Sequence, residues 1–440
     1  MDSCKVLCDN FNVNSLTELY QKKIFNKATP GLDHVTSIKF ECELSENVNF
    51  IIKKVMDGKY KFTRYKKVLI SKGEDKKPRV INISTIRDKL VLSALNECLN
   101  DIYQKINCSK LPHSIIADIC ESINSNKYST FMKFDISSFY SNVNHRKLIK
   151  KLEKRINCSS LINVIKSAIE MDALELPIKN KIKITKRKKG IPEGLNISNS
   201  LANIYLLDLD EFMNKIPNIK YFRYIDDILI LCNKKDVFLT KMKLLRQIHS
   251  LGLKFNDKST SGIINKSEFT YLGYKFKDEC VTVRDSSVYK FEGAFERLLS
   301  KNKYSERQNL ELLKWRLNLK ITGCIFNGKK YGWLFFFSQI NDLKLVSRLD
   351  NLVKKLLLRY KINFKCKRFK RTFYEIRYAL HSNCYIPNFD KYTISMKRHI
   401  LEKIYKVNLK DTSDNTIRRE FDKVLFADIS QLEKDVQDFS

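Results

Sequence analysis

The chain has 440 residues, with 82 Lys or Arg against 49 Asp or Glu, a net charge of +33 at neutral pH. With 43% hydrophobic residues, 12 glycines and 7 prolines, it is neither a disordered basic tail nor a collagen-like or Pro-rich chain. Its length suits two or three domains of roughly 100–200 residues each, and its charge implies a polyanionic partner, nucleic acid before membrane.

The opening Met1-Asp2-Ser3-Cys4-Lys5 lacks an apolar stretch. Apolar runs such as Tyr331–Phe337 fall far short of the ~20 residues that span a bilayer. The expectation is a soluble, cytoplasmic protein with no membrane partner. The twelve cysteines contain no Cys-x-x-Cys, which suits reduced thiols rather than disulfides or zinc. Positive charge is clustered. Lys179–Lys189 holds seven basic residues in eleven and Lys354–Arg371 nine in eighteen, neither with an acid. The last thirty residues invert this, with eight acids against four bases, so they are not expected on a phosphate backbone.

In chain order, residues 1–30 read as helical and polar, and Val48–Met56 continues with helical spacing. Alternation from Tyr60 to Tyr65, then Val68–Ile70 and Val80–Ile83 around Gly73-Glu74-Asp75, predicts a hairpin. Ile86–Tyr103 is helical, Thr130–Phe134 a short buried strand ending at Asp135, and Leu148–Met171 one helix. Leu176–Thr185 alternates as a basic hairpin. A long apolar helix runs from Gly194 through Leu207. Lys220–Tyr224 and Ile228–Leu231 form a hairpin with Asp226 and Asp227 at its tip. Val237–Leu251 is helical, and Tyr271–Phe276 pairs with Cys280–Val283. Beyond Ser286 the spacing is helical, so a boundary is expected near residue 285.

Two segments carry chemistry. Phe134-Asp135-Ile136 puts an acid at the end of an apolar strand, and Tyr224-Ile225-Asp226-Asp227 puts two more in an apolar hairpin. An Asp-Asp pair alone is usually an ordinary turn. Here Asp135 needs explaining too, because an uncompensated buried charge costs several kcal/mol. A divalent cation compensates it, and oxygen ligands without His or Cys select Mg²⁺ or Mn²⁺.

These motifs resemble those of reverse transcriptases. Tyr224–Asp227 is similar to the Tyr-x-Asp-Asp box and Phe134–Tyr140 to the first catalytic motif. Gly190-Ile191-Pro192-Glu193-Gly194 with Ser198 and Leu201–Leu206 resembles the Pro-Gln-Gly motif and its helix. Leu251–Asn256 with Lys258, the Tyr271-Leu272-Gly273-Tyr274 primer grip, and Lys77–Ile81 through Arg87-Asp88-Lys89 resemble further motifs. Ala28–Asp33 is similar to an N-terminal segment of group II intron and retron-like bacterial enzymes. The resemblance covers roughly residues 25–290.

It implies an α+β right-hand polymerase with an antiparallel palm sheet. Fingers and palm would occupy residues 1–285, including a helical segment 1–58. An all-helical thumb (286–360) and a helical C-terminal extension (361–440) would follow. It implies that Asp135, Asp226, Asp227 and the Ile136 carbonyl hold Mg²⁺, with Mn²⁺ a second candidate. Lys258 would protonate pyrophosphate. Lys77, Arg79, Tyr140, Glu193 and Gly194 would bind the dNTP, with Tyr140 beneath the sugar. Lys186, Arg187, Lys188, Lys367, Arg368, Lys370 and Arg371 are expected on nucleic acid. The partners would be an RNA template, with a dedicated non-coding RNA as one candidate, a DNA product, dNTPs, and a partner subunit or second copy.

Glu193 departs from the family's Gln, and Asn199-Ser200 from a more usual Pro-Leu. Glu193 is expected either to be held by Lys77, Arg79 or Arg87 and to narrow the nucleotides accepted, or to point away. No RNase H segment and no Cys/His cluster of an attached endonuclease follows residue 285, which argues against a mobile intron protein. Arg316–Cys324 and Tyr331–Phe337 are similar to stretches of bacterial defence-associated enzymes. The expected function is RNA-directed DNA synthesis in antiphage defence. The alternatives are untemplated or protein-primed synthesis on the same fold, and a degenerate palm serving as an RNA-binding scaffold.

Overall fold

The computed structural model describes residues 2–25, 28–70, 78–104, 111–175, 187–257, 259–303, 309–380, 384–410 and 412–436. Two compact units emerge, one of residues 1–109 with 132–261, the other of residues 110–131 with 262–440. The division therefore falls at 261–262, ahead of the change in sequence pattern near 285.

The first unit opens with helices α1 (Ser3–Asn10), α2 (Val13–Lys23), α3 (Ser37–Cys42) and α4 (Leu44–Met56). Asp2, Asn12 and Thr36 cap the first three through side-chain oxygens that accept backbone N–H groups. Strands β1 (Tyr65–Ile70) and β2 (Arg79–Ile83) pair antiparallel; the turn predicted between them lies outside the described residues. Helix α5 (Ile86–Ile102) is capped by Thr85 and buries Leu90, Val91, Leu95 and Leu99, so it is a core helix rather than a surface one. Its first turn also buries Asp88, whose carboxylate accepts from Tyr60 Oη (2.7 Å) and Thr63 N (2.9 Å).

Helix α6 (Pro112–Asn124) belongs to the second unit. In the first there follow β3 (Thr130–Asp135), α7 (Phe139–Asn142), α8 (His145–Glu153), α9 (Ser159–Glu170) and β4 (Ala173–Glu175), which pairs parallel with β1. The single helix expected over 148–171 is two. The amides of Asn157 (2.9 Å) and Cys158 (3.2 Å) donate to the buried hydroxyl of Ser3 instead of continuing the helical ladder. The basic hairpin expected at 176–185 lies outside the described residues.

Helix α10 (Ser198–Asn214), strands β5 (Ile219–Tyr224) and β6 (Asp227–Cys232), helix α11 (Val237–Ser250) and strand β7 (Thr260–Ile263) complete the series. The central sheet has the order β5-β6-β3-β7. Ile228, Leu229, Ile230 and Leu231 are 0% exposed. At about 1.5–3 kcal/mol per buried aliphatic side chain, they fix the hairpin that carries the paired acids.

The second unit contains a meander of β8 (Phe269–Tyr271), β9 (Tyr274–Lys277) and β10 (Cys280–Val283). The expected strand 271–276 is thus divided by a turn at Leu272-Gly273, both at positive φ (48° and 79°) as a type I′ turn requires, and its part in β9 pairs with Cys280–Val283 as expected. Helices α12 (Asp285–Lys303) and α13 (Leu310–Thr322) follow. An all-helical remainder is corrected by the hairpin β11 (Cys324–Phe326) and β12 (Lys329–Tyr331), turned by Asn327-Gly328. At its open end Gly323 and Gly332 lie backbone to backbone; a Cβ on Gly332 would stand 2.6 Å from Gly323 Cα. Helices α14 (Trp333–Phe336), α15 (Leu343–Arg359), α16 (Phe369–Tyr378), α17 (Ile394–Lys403) and α18 (Asp414–Lys434) finish the unit. Phe291 stacks on Trp333 with centroids 4.6 Å apart, and Phe389, Phe421, Leu425 and Ile429 share a further core cluster. Among the described residues no helix is long and apolar enough to cross a membrane.

Candidate active site

β3 delivers Asp135 at its C-terminal end, and the β5–β6 turn delivers Asp226 and Asp227. The two elements are joined by the Ile136 amide, which donates to the Asp226 carbonyl (3.2 Å). Tyr224 pairs with Asp227, leaving a two-residue turn of Ile225 and Asp226. Ile225 has φ = 55°, a conformation that a β-branched residue adopts only when its surroundings impose it. Arg223 is part of that imposition. Its guanidinium donates to the Ile225 carbonyl (2.9 Å) and to Asp210 of α10 (2.7 Å).

The acids differ in their partners. Asp135 accepts from the Asn256 side chain through its carboxylate and from the Asn256 amide through its carbonyl (2.8 Å). Asp227 has Lys133 Nζ at 4.0 Å. Burial, followed by the negative charges of Asp227 and Asp135, pushes the Asp226 carboxyl up to about 7, with Arg79 opposing. A carboxyl so disfavoured as an anion is one that a cation would relieve, and an all-oxygen donor set suits a hard divalent ion. Among the described residues no three His, Cys, Asp or Glu side chains stand as a ready-made ligand cluster.

Arg79 of β2 donates through Nε to Glu193 Oε2 (3.0 Å). The Asn82 amide (2.8 Å) and Nδ2 (2.9 Å) donate to the Glu193 carbonyl. Gly194 follows at φ = 95°, where a Cβ would meet Ile81 Cγ2 at 2.7 Å, so the loop lies flat on β2. Of the cations offered for Glu193, the structure pairs Arg79 with it. Tyr140 of α7 is buried and donates its hydroxyl to Asn199 Oδ1 (2.6 Å). Burial and the charges of Asp226 and Glu193 raise its phenol, with Arg79 opposing. Tyr140 is thus both a packed residue and a neighbour of the acids and of the Arg79–Glu193 pair. Asn82 and Arg223 are supporting residues that the sequence reading did not single out, and Asn199, noted there only as a departure from the family pattern, is a third. Arg223, a charge within an apolar strand, carried the one signal that could have found them.

The other expected site residues are distributed as follows. Lys77, Lys186 and Lys258 lie outside the described residues. Arg187 pairs with Asp172 (3.3 Å), while Lys188 is exposed. Tyr271, Leu272 and Tyr274 are buried in the second unit, and Tyr274 Oη donates to the Phe336 carbonyl, so these side chains pack rather than form a surface. In the same unit a depression of about 580 Å³ is lined by Lys365, Lys367, Lys370, Arg371, Tyr374 and Tyr385 among others. The Arg371 guanidinium stands 4.2 Å over the Tyr385 ring, and burial with Arg371 lowers the Lys367 ammonium. Phe369, within the same basic tract, is fully buried, while Tyr374 and Tyr385 line the depression.

Residues 70–276 match the family described as reverse transcriptase (RNA-dependent DNA polymerase). The group II intron-encoded protein LtrA of Lactococcus lactis subsp. cremoris is 27% identical over 204 residues, covering 44% of this chain and 32% of that protein. Protein YkfC of Escherichia coli (strain K12) is 21% identical over 198 residues, covering 42% of this chain and 50% of that one. The chain therefore spans a third to a half of the length of these curated relatives. An apo telomerase structure from Candida tropicalis aligns over 90% of this chain and 70% of that one, at 16% identity and a TM-score of 0.43. The segment that matches this reverse transcriptase family, residues 70–276, holds the β3 strand, the β5–β6 hairpin and the Glu193–Gly194 loop together.

Proposed function

We propose that the protein is an RNA-directed DNA polymerase that joins dNTPs to a primer 3′-hydroxyl at Asp135, Asp226 and Asp227. The observation that carries this is the Asp226 carboxyl, set beside two further acids at the tip of a buried hairpin. Two Mg²⁺ ions bound there would supply activation of the 3′-hydroxyl and charge neutralisation on the triphosphate. Asp135, Asp226, Asp227 and the Ile136 carbonyl would hold them, with water and nucleotide oxygens completing each shell. Arg79 would take triphosphate oxygens, Lys77 would assist it and Lys258 would protonate the leaving pyrophosphate. The test is extension of a DNA primer on an RNA template with dNTPs and Mg²⁺. Loss of product on RNA, with synthesis retained when no template is added, would favour the untemplated alternative.

Tyr140 would sit beneath the sugar and exclude a 2′-hydroxyl. Tyr140→Ala is expected to raise the ratio of kcat/KM for rNTPs over dNTPs, whereas Tyr140→Phe, which keeps the ring, should leave it near wild type. A ratio unmoved in Tyr140→Ala would make Tyr140 a packing residue only.

The Lys365–Arg371 depression would hold the backbone of single-stranded nucleic acid, with Tyr374 and Tyr385 offering faces to bases. Replacing Lys367, Arg368, Lys370 and Arg371 by Ser should weaken RNA binding and flatten its dependence on salt, because each lost phosphate contact on a single strand removes about 0.7 from the log–log slope. An unchanged slope would make the tract a solvated face. The narrower biological reading is antiphage defence in the bacterial cytoplasm. It rests on the similarity of Arg316–Cys324 and Tyr331–Phe337 to defence-associated enzymes. Plating efficiency of phage on cells with and without the wild-type chain tests it.

A further inference from the structure

Within the candidate active site, the residue placed to grip a triphosphate already holds a carboxylate. Arg79 Nε meets Glu193 Oε2 at 3.0 Å, and the two side chains are 35% and 28% exposed, so a solute can reach both. The position of Glu193 does not depend on this ion pair. Its carbonyl takes two hydrogen bonds from Asn82, and its neighbour Gly194 has no space for a side chain against Ile81 and Asn82. The carboxylate is therefore presented to Arg79 by the backbone, as a fixed acceptor. The positive charge of Arg79 also acts on the Asp226 carboxyl, and both members of the pair act on the Tyr140 phenol.

A guanidinium recognises carboxylate and phosphate oxygens by the same fork of N–H donors. Either can occupy Arg79, but a polyphosphate brings more charge. We propose that Glu193 is a built-in competitor for the nucleotide: the polyphosphate of an incoming dNTP must displace the Glu193 carboxylate from Arg79 before it can bind. Glu193 is on this account an affinity-setting residue that raises the nucleotide concentration needed for synthesis. The proposal rests on the polymerase reading above. No bond is made or broken in the exchange.

The experiment is a double-mutant cycle on Arg79 and Glu193, read by steady-state incorporation of single dNTPs on primed RNA template. Glu193→Gln keeps size and the backbone contacts and removes only charge. It is expected to lower KM about 3–10-fold, with the effect on KM rather than kcat, as suits loss of a half-exposed ion pair. Arg79→Ala should raise KM. With Arg79 absent there is nothing to compete for, so Glu193→Gln added to Arg79→Ala should change KM less than about twofold. A KM that rises in Glu193→Gln, or that falls equally in both backgrounds, overturns the proposal. Binding of inorganic tripolyphosphate by calorimetry needs no turnover, and Glu193→Gln should tighten it by a similar factor. If the wild type binds tripolyphosphate in this way but incorporates nothing, the polymerase reading fails and the competition stands. If it incorporates but neither KM nor tripolyphosphate affinity moves in Glu193→Gln, the competition fails alone.

Discussion

Asp226→Asn is expected to abolish nucleotide incorporation, by at least about 10²–10³-fold, while leaving the fold and RNA binding in place. Removing one charged oxygen ligand removes stabilisation worth several kcal/mol in a transition state that accumulates negative charge. Primer extension with Mg²⁺ measures it, and incorporation within twofold of wild type would refute the assignment of this site. The same substitution has an opposite effect on stability. The Asp226 carboxyl titrates near 7 in the folded chain, against the ordinary Asp value of 3.8. Between those values the folded state holds a proton that the unfolded state has lost, so stability without divalent cations falls as pH rises through that window. In EDTA at pH 8, Asp226→Asn should melt a few degrees above wild type, and Mg²⁺ should narrow the gap by stabilising the wild type more.

Asp428→Ala should produce the largest loss of stability in the second unit. Asp428 is 5% exposed and is the shared acceptor for three donors: Trp315 Nε1 (3.1 Å), Arg316 Nε (2.9 Å) and Tyr405 Oη (2.5 Å). It ties helix α18 to helix α13 and to the segment after α17. Truncation leaves all three donors without this acceptor, at about 3–5 kcal/mol in total, mostly from roughly 1–3 kcal/mol for each of Trp315 and Tyr405, with little from Arg316, whose side chain is 42% exposed. For a unit of this size that corresponds to roughly 6–20 °C in Tm. Asp428→Asn, which keeps an acceptor oxygen and loses the charge, should fall between. A change under about 2 °C in Asp428→Ala would show that the network is idle.

The strands that carry the three acids are legible because charge interrupts a run of β-branched and aromatic residues, and periodicity finds that without tertiary information. Three other features behave differently. The break between α8 and α9 is made by Ser3, more than 150 residues away, so no local pattern contains it. The turn at Leu272 has no Asn or Asp to announce it; the burial of Tyr271 and Tyr274 on either side holds a leucine at positive φ. The β11–β12 hairpin does carry its signal, Asn327-Gly328, but three-residue strands between helices are too short for alternation to outweigh the helical spacing around them. In the site, the sequence offers several cations for Glu193, Lys77, Arg79 and Arg87 among them, and it is the register of β2 against the Gly190–Gly194 loop that brings Arg79 to it. Asp88 shows the reverse. Flanked in sequence by Arg87 and Lys89, it is nevertheless wholly buried on Tyr60 and Thr63.

The hairpin at 324–331 has two ends with opposite evolutionary freedom. At its base, a side chain on Gly323 would stand 2.2 Å from the Tyr331 carbonyl oxygen, and one on Gly332 would strike Gly323 itself. Neither glycine can drift while the other stays, and neither is relieved by changing a neighbouring side chain, because the obstacle is main chain. At its tip, a Cβ on Gly328 would meet nothing within 4 Å, while the amides of Asn327 (2.6 Å) and Gly328 (2.9 Å) donate to the Asp390 carboxylate. A lineage can therefore change the side chains of this hairpin at 327–328, where the left-handed backbone favours a small polar residue, without reopening its base, as long as the two amides still reach Asp390. The variable end of the hairpin is where related chains should diverge in what they present to solvent, and the glycine pair is where they should not.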